Sequence, residues 1–536
     1  MTETRKNKLQ SIEKYFFFVI IGLNLIPIIS GKFFSTLDGP AHLYNSQLIS
    51  SLVFEKDSLL NSFFAFTNEP VPNWTGHLIL AFFNLFLPAF LSEKIFLLFY
   101  MIALPLSFRA LLKTTSPNNY FSYLIFPFAY SSVFYLGFYN FSIAIVFMLI
   151  TINFWLKNEE SISSFKNMLK LFLLLTITYF SHIFVFAILI LIICIHILLK
   201  ATILLLNDSN KIKEIFLISF KKLGFLLLPS LLPSALFCYY FYSRPSTGNK
   251  VYLGAFELID SLRHLKPIIA LNYEIEVAFT TKLVYVIVIV FAVVLLKRFN
   301  DLKNKHILFS KKVLKVSDAW LFVSIIILFM YFILPDSDGN AGFVSVRFGL
   351  LFYIFLIIWL STHTFNKWFS FFVVGIFLFC NTILTTYYFS TVKDLDKIAK
   401  ECNIAGKFIH PNSVVLPLNY SNHWLTFHFS NYLGVDKPMI ILENYESSTG
   451  YFPVKWNTNS IPNLQFGNIS VENNPCIQTM NNKENPIKTI DYVFVLGQIE
   501  DKIDSCSIEI KRVIKQNYSL TYRSNSCMLY KLKKEL

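Results

Sequence analysis

Charged residues are scarce in this chain of 536 residues, with Asp, Glu, Lys and Arg together at 15%, against roughly 25% in soluble domains. Hydrophobic residues make up 54%, Phe alone occurs 59 times, and the mean hydropathy is +0.53. Apolar runs long enough to span a bilayer recur from Tyr15 to about Tyr388. The composition excludes a soluble globular protein and predicts an integral membrane protein.

Cysteine is also sparse, and its spacing shows no metal-binding pattern. Three cysteines fall in apolar runs, namely Cys194, Cys238 and Cys380. Four fall in the polar C-terminal part, namely Cys402, Cys476, Cys506 and Cys527. In an exported domain these four would allow two disulfides, whose pairing the sequence does not fix.

Three further features are missing. No small-residue cleavage site follows the first apolar run, so this run is predicted to be a retained helix and not a signal peptide. The chain shows no internal repeat and no low-complexity tract. The net charge of +14 lies mostly in short loops between apolar runs, which is the positive-inside pattern and excludes nucleic acid as a partner.

The basic loops predict the topology. Basic residues before the first run place the N-terminus in the cytoplasm, and the basic loops at 157–170, 200–222 and 297–315 are predicted there too. The loop at 31–75 then lies outside, whereas Lys113 is predicted in the cytoplasm, so the chain must cross the membrane an odd number of times between them. Two apolar runs, 76–91 and 95–112, lie in this interval. We therefore predict that 76–91, which is short, is re-entrant or a half-span.

This reading gives about twelve apolar segments and about eleven crossings. The predicted segments are 15–30, 76–91, 95–112, 120–136, 141–156, 171–180, 183–206, 223–242, 283–296, 320–334, 348–360 and 368–388. The fold class is an α-helical polytopic membrane protein of the plasma (inner) membrane. The C-terminal part is predicted to be extracytoplasmic.

The C-terminal part differs sharply in composition. Residues 1–390 form the predicted multi-span domain, and 391–536 are rich in Asn, Ser, Tyr and Lys. Alternating patterns predict a small α/β domain there. The predicted strands are 414–418, 439–442, 492–496 and 528–532, and the predicted helices are 392–408, 423–433 and 508–516.

The stretch TLDGPAHLYNS, residues 36–46, directly follows the first apolar run. Gly39-Pro40 forms a turn and favours a helix starting at Pro40 or Ala41, with Asp38 near its N-cap and His42 one turn in, facing Asp38. An acid and a histidine at a bilayer edge can do acid/base work or bind a cation. We predict an amphipathic interfacial helix at 41–54, and the alternative for Asp38 is that it only caps this helix by accepting backbone N–H groups.

Other candidates are polar residues at the predicted outer surface. Glu69 and His77 flank PNWTG on the loop at 31–75, and an ionisable group that begins an apolar run more often lines a cavity than faces lipid. Tyr139 and Asn140 lie in a short link that also suits a simple hairpin tip. His182 lies between two apolar runs, where an interfacial histidine is an equal alternative.

A basic residue opens one of the later apolar runs. Arg347 follows Asp336 and Asp338 in PDSDGNAGFVSVR. An arginine at a membrane edge can hold a phosphate through its bidentate fork, whereas the alternative is ordinary snorkelling. Arg263 lies in another predicted outer loop.

These features together resemble the GT-C class of membrane glycosyltransferases, which use polyprenyl-phosphate sugars. The resemblance covers the layout of about residues 10–390. The residues that carry it are Leu37-Asp38-Gly39-Pro40-Ala41-His42-Leu43, Asn73-Trp74-Thr75-Gly76-His77, Tyr139-Asn140 and Arg347. It implies that Asp38 is the catalytic acid of the first outer loop. The class often has two adjacent acids in this loop. This chain has no second acid beside Asp38, which leaves the use of a divalent cation open.

The implied reaction moves a sugar from a lipid-linked donor to a glycan, lipid or protein acceptor of the cell envelope. Asp38 would deprotonate the acceptor, and His42 or His77 would orient the Asp38 side chain or help to bind the acceptor. Arg347 and Arg263 would hold the departing phosphate. Two other classes stay open, a transporter or flippase for a lipid-linked saccharide and a polysaccharide polymerase or ligase.

Overall fold

A computed structural model of the chain describes residues 3–54, 59–116, 120–207, 209–244, 248–304, 314–339, 341–457 and 490–533. The protein is mostly helical, at 71%. Its helices are α1 Glu3–Ile29, α2 Gly39–Phe54, α3 Leu60–Phe63, α4 Thr75–Asn84, α5 Ala89–Thr115, α6 Phe126–Ala129, α7 Ser132–Tyr135, α8 Tyr139–Asn158, α9 Phe165–Ser181, α10 Ile183–Asn207, α11 Ile212–Ser243, α12 Ala255–Arg263, α13 Tyr273–Asn304, α14 Ala319–Ile333, α15 Val344–Ser361, α16 Lys367–Gly406, α17 Glu446–Thr449 and α18 Ser505–Asn517. Its strands are β1 Phe64–Phe66, β2 Val414–Tyr420, β3 Ile440–Ile441, β4 Val454–Trp456, β5 Tyr492–Gly497, β6 Tyr518–Arg523 and β7 Cys527–Leu532.

The chain forms two compact units. The first unit comprises Met1–Leu25, Phe99–Tyr135 and Asn140–Tyr388. The second unit comprises Ile26–Leu98, Leu136–Tyr139 and Phe389–Leu536. The second unit therefore combines the C-terminal part with most of the segment that was predicted as the first outer loop.

The length and composition of the helices agree with the predicted membrane protein. Among the described residues, nine helices are long and apolar enough to cross a membrane, namely α1 from Ser11, α5, α8, α10, α11, α13, α14, α15 and α16. The predicted segment 76–91 contains most of α4 and the first residues of α5. Helix α4 has 10 residues and is about 15 Å long, half the thickness of a bilayer core. Helix α9 has 17 residues, at the lower limit for a span.

The prediction of one membrane-spanning helix at 120–136 is wrong, although the segment is apolar. This segment is a 3₁₀ helix at Tyr120–Ile125 followed by the short helices α6 and α7. Pro127 lies in the first turn of α6 and has no amide hydrogen for a preceding helical turn. Nearly every residue here is buried, and non-helical backbone at membrane depth is tolerated where protein covers it.

The topology can be tested by labelling cysteines with an impermeant maleimide on whole cells, after the exposed Cys238 has been replaced by Ser. Asn68→Cys and Lys515→Cys place the thiol at exposed positions of the second unit, and Lys303→Cys places it in the last turn of α13, within the basic segment predicted at 297–315. We expect labelling at 68 and 515, and at 303 only after the cells are permeabilised. Labelling of intact cells at 303 would contradict the predicted orientation.

A mixed sheet forms the C-terminal part of the second unit. Its five strands have the order β3-β2-β5-β7-β6, with β3, β2 and β5 parallel and β7 antiparallel to both β5 and β6. Strand β2 is buried along its whole length, as expected for a strand covered on both faces. The four predicted strands are confirmed, whereas β1, β4 and β6 were not predicted. Strand β6 was missed because its largely exposed residues give little apolar signal.

The early segment of the second unit pairs with this part directly. Strand β1 is antiparallel to β4, and the rings of Phe64 and Trp456 stack at 4.4 Å. Helix α2 is also buried, and its Tyr44 hydroxyl donates to the carbonyl oxygen of Met439 at 2.8 Å. The prediction of an amphipathic interfacial helix at 41–54 is therefore wrong, because the polar side chains of α2 find partners inside the unit.

Two further expectations for the C-terminal part are corrected. The helix predicted at 423–433 is a pair of short 3₁₀ helices, Trp424–Thr426 and Phe429–Gly434. Cys402 and Cys527 are buried free thiols, whereas Cys506 is disulfide-bonded. With two of the four C-terminal cysteines free, the four do not form two disulfides. Cys476 lies outside the described residues.

Candidate active site

The site is built on the turn that begins α2. The hydroxyl of Thr36 accepts the amide hydrogen of Gly39 at 3.1 Å, and the carbonyl oxygen of Asp38 accepts that of His42 at 2.9 Å. Helix α2 begins at Gly39, one residue earlier than predicted. Among the described residues, no hydrogen bond joins the Asp38 carboxylate to a backbone amide of α2. Thr36 therefore makes the capping hydrogen bond that the alternative interpretation assigned to Asp38.

Gly137 packs directly against this turn. The carbonyl oxygen of Leu136 accepts the amide hydrogen of Asp38 at 3.3 Å. Gly137 has a φ of +80°, and a Cβ added to it would lie 2.6 Å from the amide nitrogen of Asp38. Only glycine tolerates both this backbone angle and so close an approach. The Gly137 backbone therefore fixes the position of Asp38.

We expect Gly137→Ala to destabilise the protein and displace Asp38. The left-handed backbone alone costs on the order of 1–2 kcal/mol, and the contact with the Asp38 backbone adds to it. Thermal unfolding of the purified protein should show a lower melting temperature. Gly254→Ala is the matched control, because Gly254 has a φ of −65° and its added Cβ meets nothing within 4 Å. An equal effect of both substitutions would show that Gly137 has no special role.

Two histidines converge on one buried glutamate. Glu446 is the first residue of α17; its Oε1 lies 2.5 Å from Nδ1 of His42 and its Oε2 lies 2.8 Å from Nε2 of His77. The two imidazole rings meet edge to face, with centroids 4.8 Å apart. One ligand-type atom from each of the three side chains lies within 4.8 Å of the others, a grouping that can hold a metal ion.

The charges of this cluster are strongly coupled. Burial raises the pKa of Glu446, but the two histidines outweigh burial and lower this pKa to about 2. Burial lowers the pKa of His42, but Glu446 and then Asp38 outweigh it, so the net pKa lies above its ordinary value. In the absence of a metal ion, Glu446 is therefore an ionised carboxylate.

A second acid–histidine pair faces Asp38. Nε2 of His428 lies 3.6 Å from Oδ1 of Asp38, and Nδ1 of His428 lies 2.5 Å from Oε1 of Glu443. The other oxygen of Glu443 accepts hydrogen bonds from Ser430 and Asn431. The histidine partner of the Asp38 side chain is thus His428 rather than His42, which turns its ring toward Glu446.

Asp38 is the most accessible ionisable side chain of this cluster. Its side chain is 12% exposed, compared with 8% for His428, 5% for Glu443, 4% for His42, 1% for His77 and 0% for Glu446. Burial raises the pKa of Asp38 above its ordinary value, against the opposing effects of His428 and His42. Of these side chains, that of Asp38 therefore offers the most accessible surface to a small molecule.

Tyr139, which the sequence also indicated, lies beside His42, with ring centroids 5.2 Å apart. Its hydroxyl donates to Oε1 of Glu93 at 2.9 Å and lies 3.0 Å from the hydroxyl of Thr36. Glu93 is 1% exposed, and a buried carboxylate requires such partners. Glu69 lies in the same unit, half-buried, ahead of α4.

The remaining predicted residues belong to the first unit. Nη1 of Arg347 lies 3.4 Å from Nε2 of His182, and its guanidinium lies over the ring of Phe141. Asp336 accepts the amide hydrogen of Ser345 near the start of α15. Asn140 is a buried residue of α8, and Arg263 is exposed at the last position of α12.

Sequence reasoning missed the acids and the histidine that complete the cluster, namely Glu93, His428, Glu443 and Glu446. Two of them carried a usable signal, because Glu443 and Glu446 directly follow the apolar run that contains β3. Polar residues just beyond the carboxyl end of a buried strand are commonly placed at a site. Comparisons of the chain with protein-family models, with curated proteins and with solved structures each found no match.

Proposed function

We propose that the protein is a membrane glycosyltransferase that moves a sugar from a polyprenyl-phosphate donor to an extracytoplasmic acceptor, with Asp38 as the general base. The nine candidate spans among the described residues are compatible with a lipid-linked donor, whose tail stays in the bilayer. The proposal further rests on the sequence resemblance of the first outer segment to the GT-C class.

The observation that carries the proposal is the state of the Asp38 side chain. It is the most exposed carboxylate of a buried acid–histidine cluster, and it makes no capping bond to α2 among the described residues. Glu446 is fully buried between two histidines, and Glu443 is held by His428, Ser430 and Asn431. Asp38 also has a hydrogen-bonding partner, the hydroxyl of Tyr445. Its side chain is nevertheless the most exposed of the three, and a general base must be reachable as well as positioned.

In the proposed reaction, the hydroxyl of the acceptor gives its proton to the Asp38 carboxylate. The acceptor oxygen forms a bond to the anomeric carbon of the sugar, and the bond from that carbon to the phosphate oxygen breaks. Polyprenyl phosphate leaves with the electron pair of that bond. His428, held by Glu443, lies 3.6 Å from Asp38 and would stabilise its charged form before the proton arrives.

Arg347 is the proposed phosphate-binding residue of the first unit. Its neighbour His182 is a buried imidazole, whose pKa is lowered well below the ordinary value by burial and by the charge of Arg347. A guanidinium can hold a phosphate through two parallel N–H···O hydrogen bonds. The proposal gives this role to Arg347 because of that fork and because Arg347 lies in the first turn of α15.

The proposal is tested with the full-length protein in lipid nanodiscs, a panel of polyprenyl-phosphate hexoses and pentoses, and an acceptor extract from the cell envelope. We expect one donor to be consumed, with release of free polyprenyl phosphate measured by mass spectrometry. A transporter or flippase would move a lipid-linked sugar across a proteoliposome without consuming it. Transport of the panel without any consumption would contradict the proposal.

A further inference from the structure

We infer that His42, His77 and Glu446 form a binding site for a divalent transition-metal ion of the zinc type. All three side chains are almost completely buried, at 3%, 1% and 0% exposure. This inference does not depend on the proposed glycosyl transfer, because it concerns only the side chains of the second unit and their ligand chemistry.

The hydrogen bonds on the far side of each imidazole ring determine which nitrogen carries the proton. Nε2 of His42 lies 2.8 Å from the carbonyl oxygen of Gly137, and Nδ1 of His77 lies 3.2 Å from that of Asn73. A carbonyl oxygen only accepts, so both of these nitrogens must donate a hydrogen. In a neutral imidazole, the nitrogen that faces Glu446 then presents a lone pair.

Such a lone pair would be repelled by a carboxylate oxygen, so a positive charge is needed between the two atoms of each contact. Protons on both facing nitrogens can supply it, but they place two imidazolium rings, with centroids 4.8 Å apart, in a buried setting, which is costly. One divalent cation supplies the same charge and bonds to all three groups at once.

The outer hydrogen bonds are those of typical metal ligands. A metal-bound histidine usually donates its other ring hydrogen to a carbonyl or carboxylate, which fixes the tautomer and the ring orientation. Zinc prefers nitrogen and oxygen ligands at about 2.0–2.2 Å, which places the atoms of a tetrahedral set about 3.3 Å apart. The contacts of 2.5 and 2.8 Å therefore need to open by less than about 1 Å.

The donor set also indicates the kind of metal. Two imidazoles and one carboxylate suit zinc and its neighbours, whereas magnesium and calcium prefer oxygen ligands alone. Three protein ligands leave a fourth position for an external oxygen, as in sites that bind water or substrate. His428 differs, because both of its ring nitrogens face carboxylates, those of Glu443 and Asp38, rather than one carboxylate and one backbone carbonyl oxygen.

The test measures zinc directly. The full-length protein, purified through a tag without histidine, is loaded with zinc chloride, passed through a desalting column and analysed by inductively coupled plasma mass spectrometry. We expect about one zinc per chain, and at least about a tenfold loss of zinc affinity in His77→Gln and Glu446→Gln. His428→Gln removes an equally buried histidine and should retain the zinc.

A second measurement needs no variant. Zinc chloride should raise the melting temperature of the wild-type protein, since a ligand that binds only the folded state stabilises it, and magnesium chloride should not. The inference is overturned if the wild type retains no zinc and shows no such rise, or if His77→Gln and Glu446→Gln retain as much zinc as the wild type. An equal rise with magnesium would contradict the assigned class of metal.

Discussion

Asp38→Asn should abolish sugar transfer while leaving the protein folded. Asparagine preserves the size of the side chain but cannot accept the proton of an acceptor hydroxyl. Loss of a positioned general base typically lowers the rate by about 10²–10⁴-fold. The measurement is the rate of donor consumption in nanodiscs, with the melting temperature of the same preparation as the check on folding.

The matched control is Asp504→Asn in the same unit. Asp504 caps α18, and its side chain accepts the amide hydrogen of Ser507 at 2.8 Å. Its replacement tests the loss of a capping carboxylate away from the Asp38 cluster and should leave the rate unchanged. If Asp38→Asn transfers sugar as fast as Asp504→Asn, then Asp38 is not the base.

Glu446→Gln should cause the largest loss of stability among single substitutions in the site. Glu446 is fully buried between His42 and His77, and removing one partner of a buried charged pair costs about 3–5 kcal/mol. The amide of glutamine has one oxygen and one NH₂ group, so it cannot reproduce two carboxylate contacts. Thermal unfolding in detergent should show a clearly lower melting temperature.

Two variants separate this effect from a general loss of charge. Glu509→Gln removes an exposed carboxylate that pairs with Arg512, and exposed pairs contribute little to stability. The double variant Glu446→Gln/His77→Gln should lose less free energy of unfolding than the two single variants lose in sum, because the residues act as one unit. Strict additivity would show that the three side chains are not coupled.

Local patterns in the sequence predicted the parts of the fold that depend on composition. The apolar runs led to the spans, and the parallel core strands β2 and β5 were visible as continuous apolar stretches. The segment around Pro127 could not be predicted by hydropathy, since its residues are as apolar as a span. Hydropathy detects burial, whereas continuity of the helix depends on backbone hydrogen bonds.

The candidate site was predicted only in its first half. Asp38, His42, His77 and Tyr139 were chosen because a turn and polar residues interrupt apolar runs. Glu446 lies 404 residues from His42 along the chain, and no local pattern connects them. The interfacial helix was wrong for the same reason, because the partners that bury α2, such as Met439 and Asn444, come from the distant C-terminal part.

The measurement that tests the central claim most directly is a cryo-electron microscopy density map of the Asp38→Asn variant, in nanodiscs supplied with the polyprenyl-phosphate sugar panel. A variant that binds the donor but cannot transfer it should retain it. We predict density for a phosphate-linked sugar with its anomeric carbon a few ångströms beyond position 38, allowing the acceptor oxygen to lie between the two. Lipid-linked sugar bound elsewhere, with none within reach of position 38, would contradict the account.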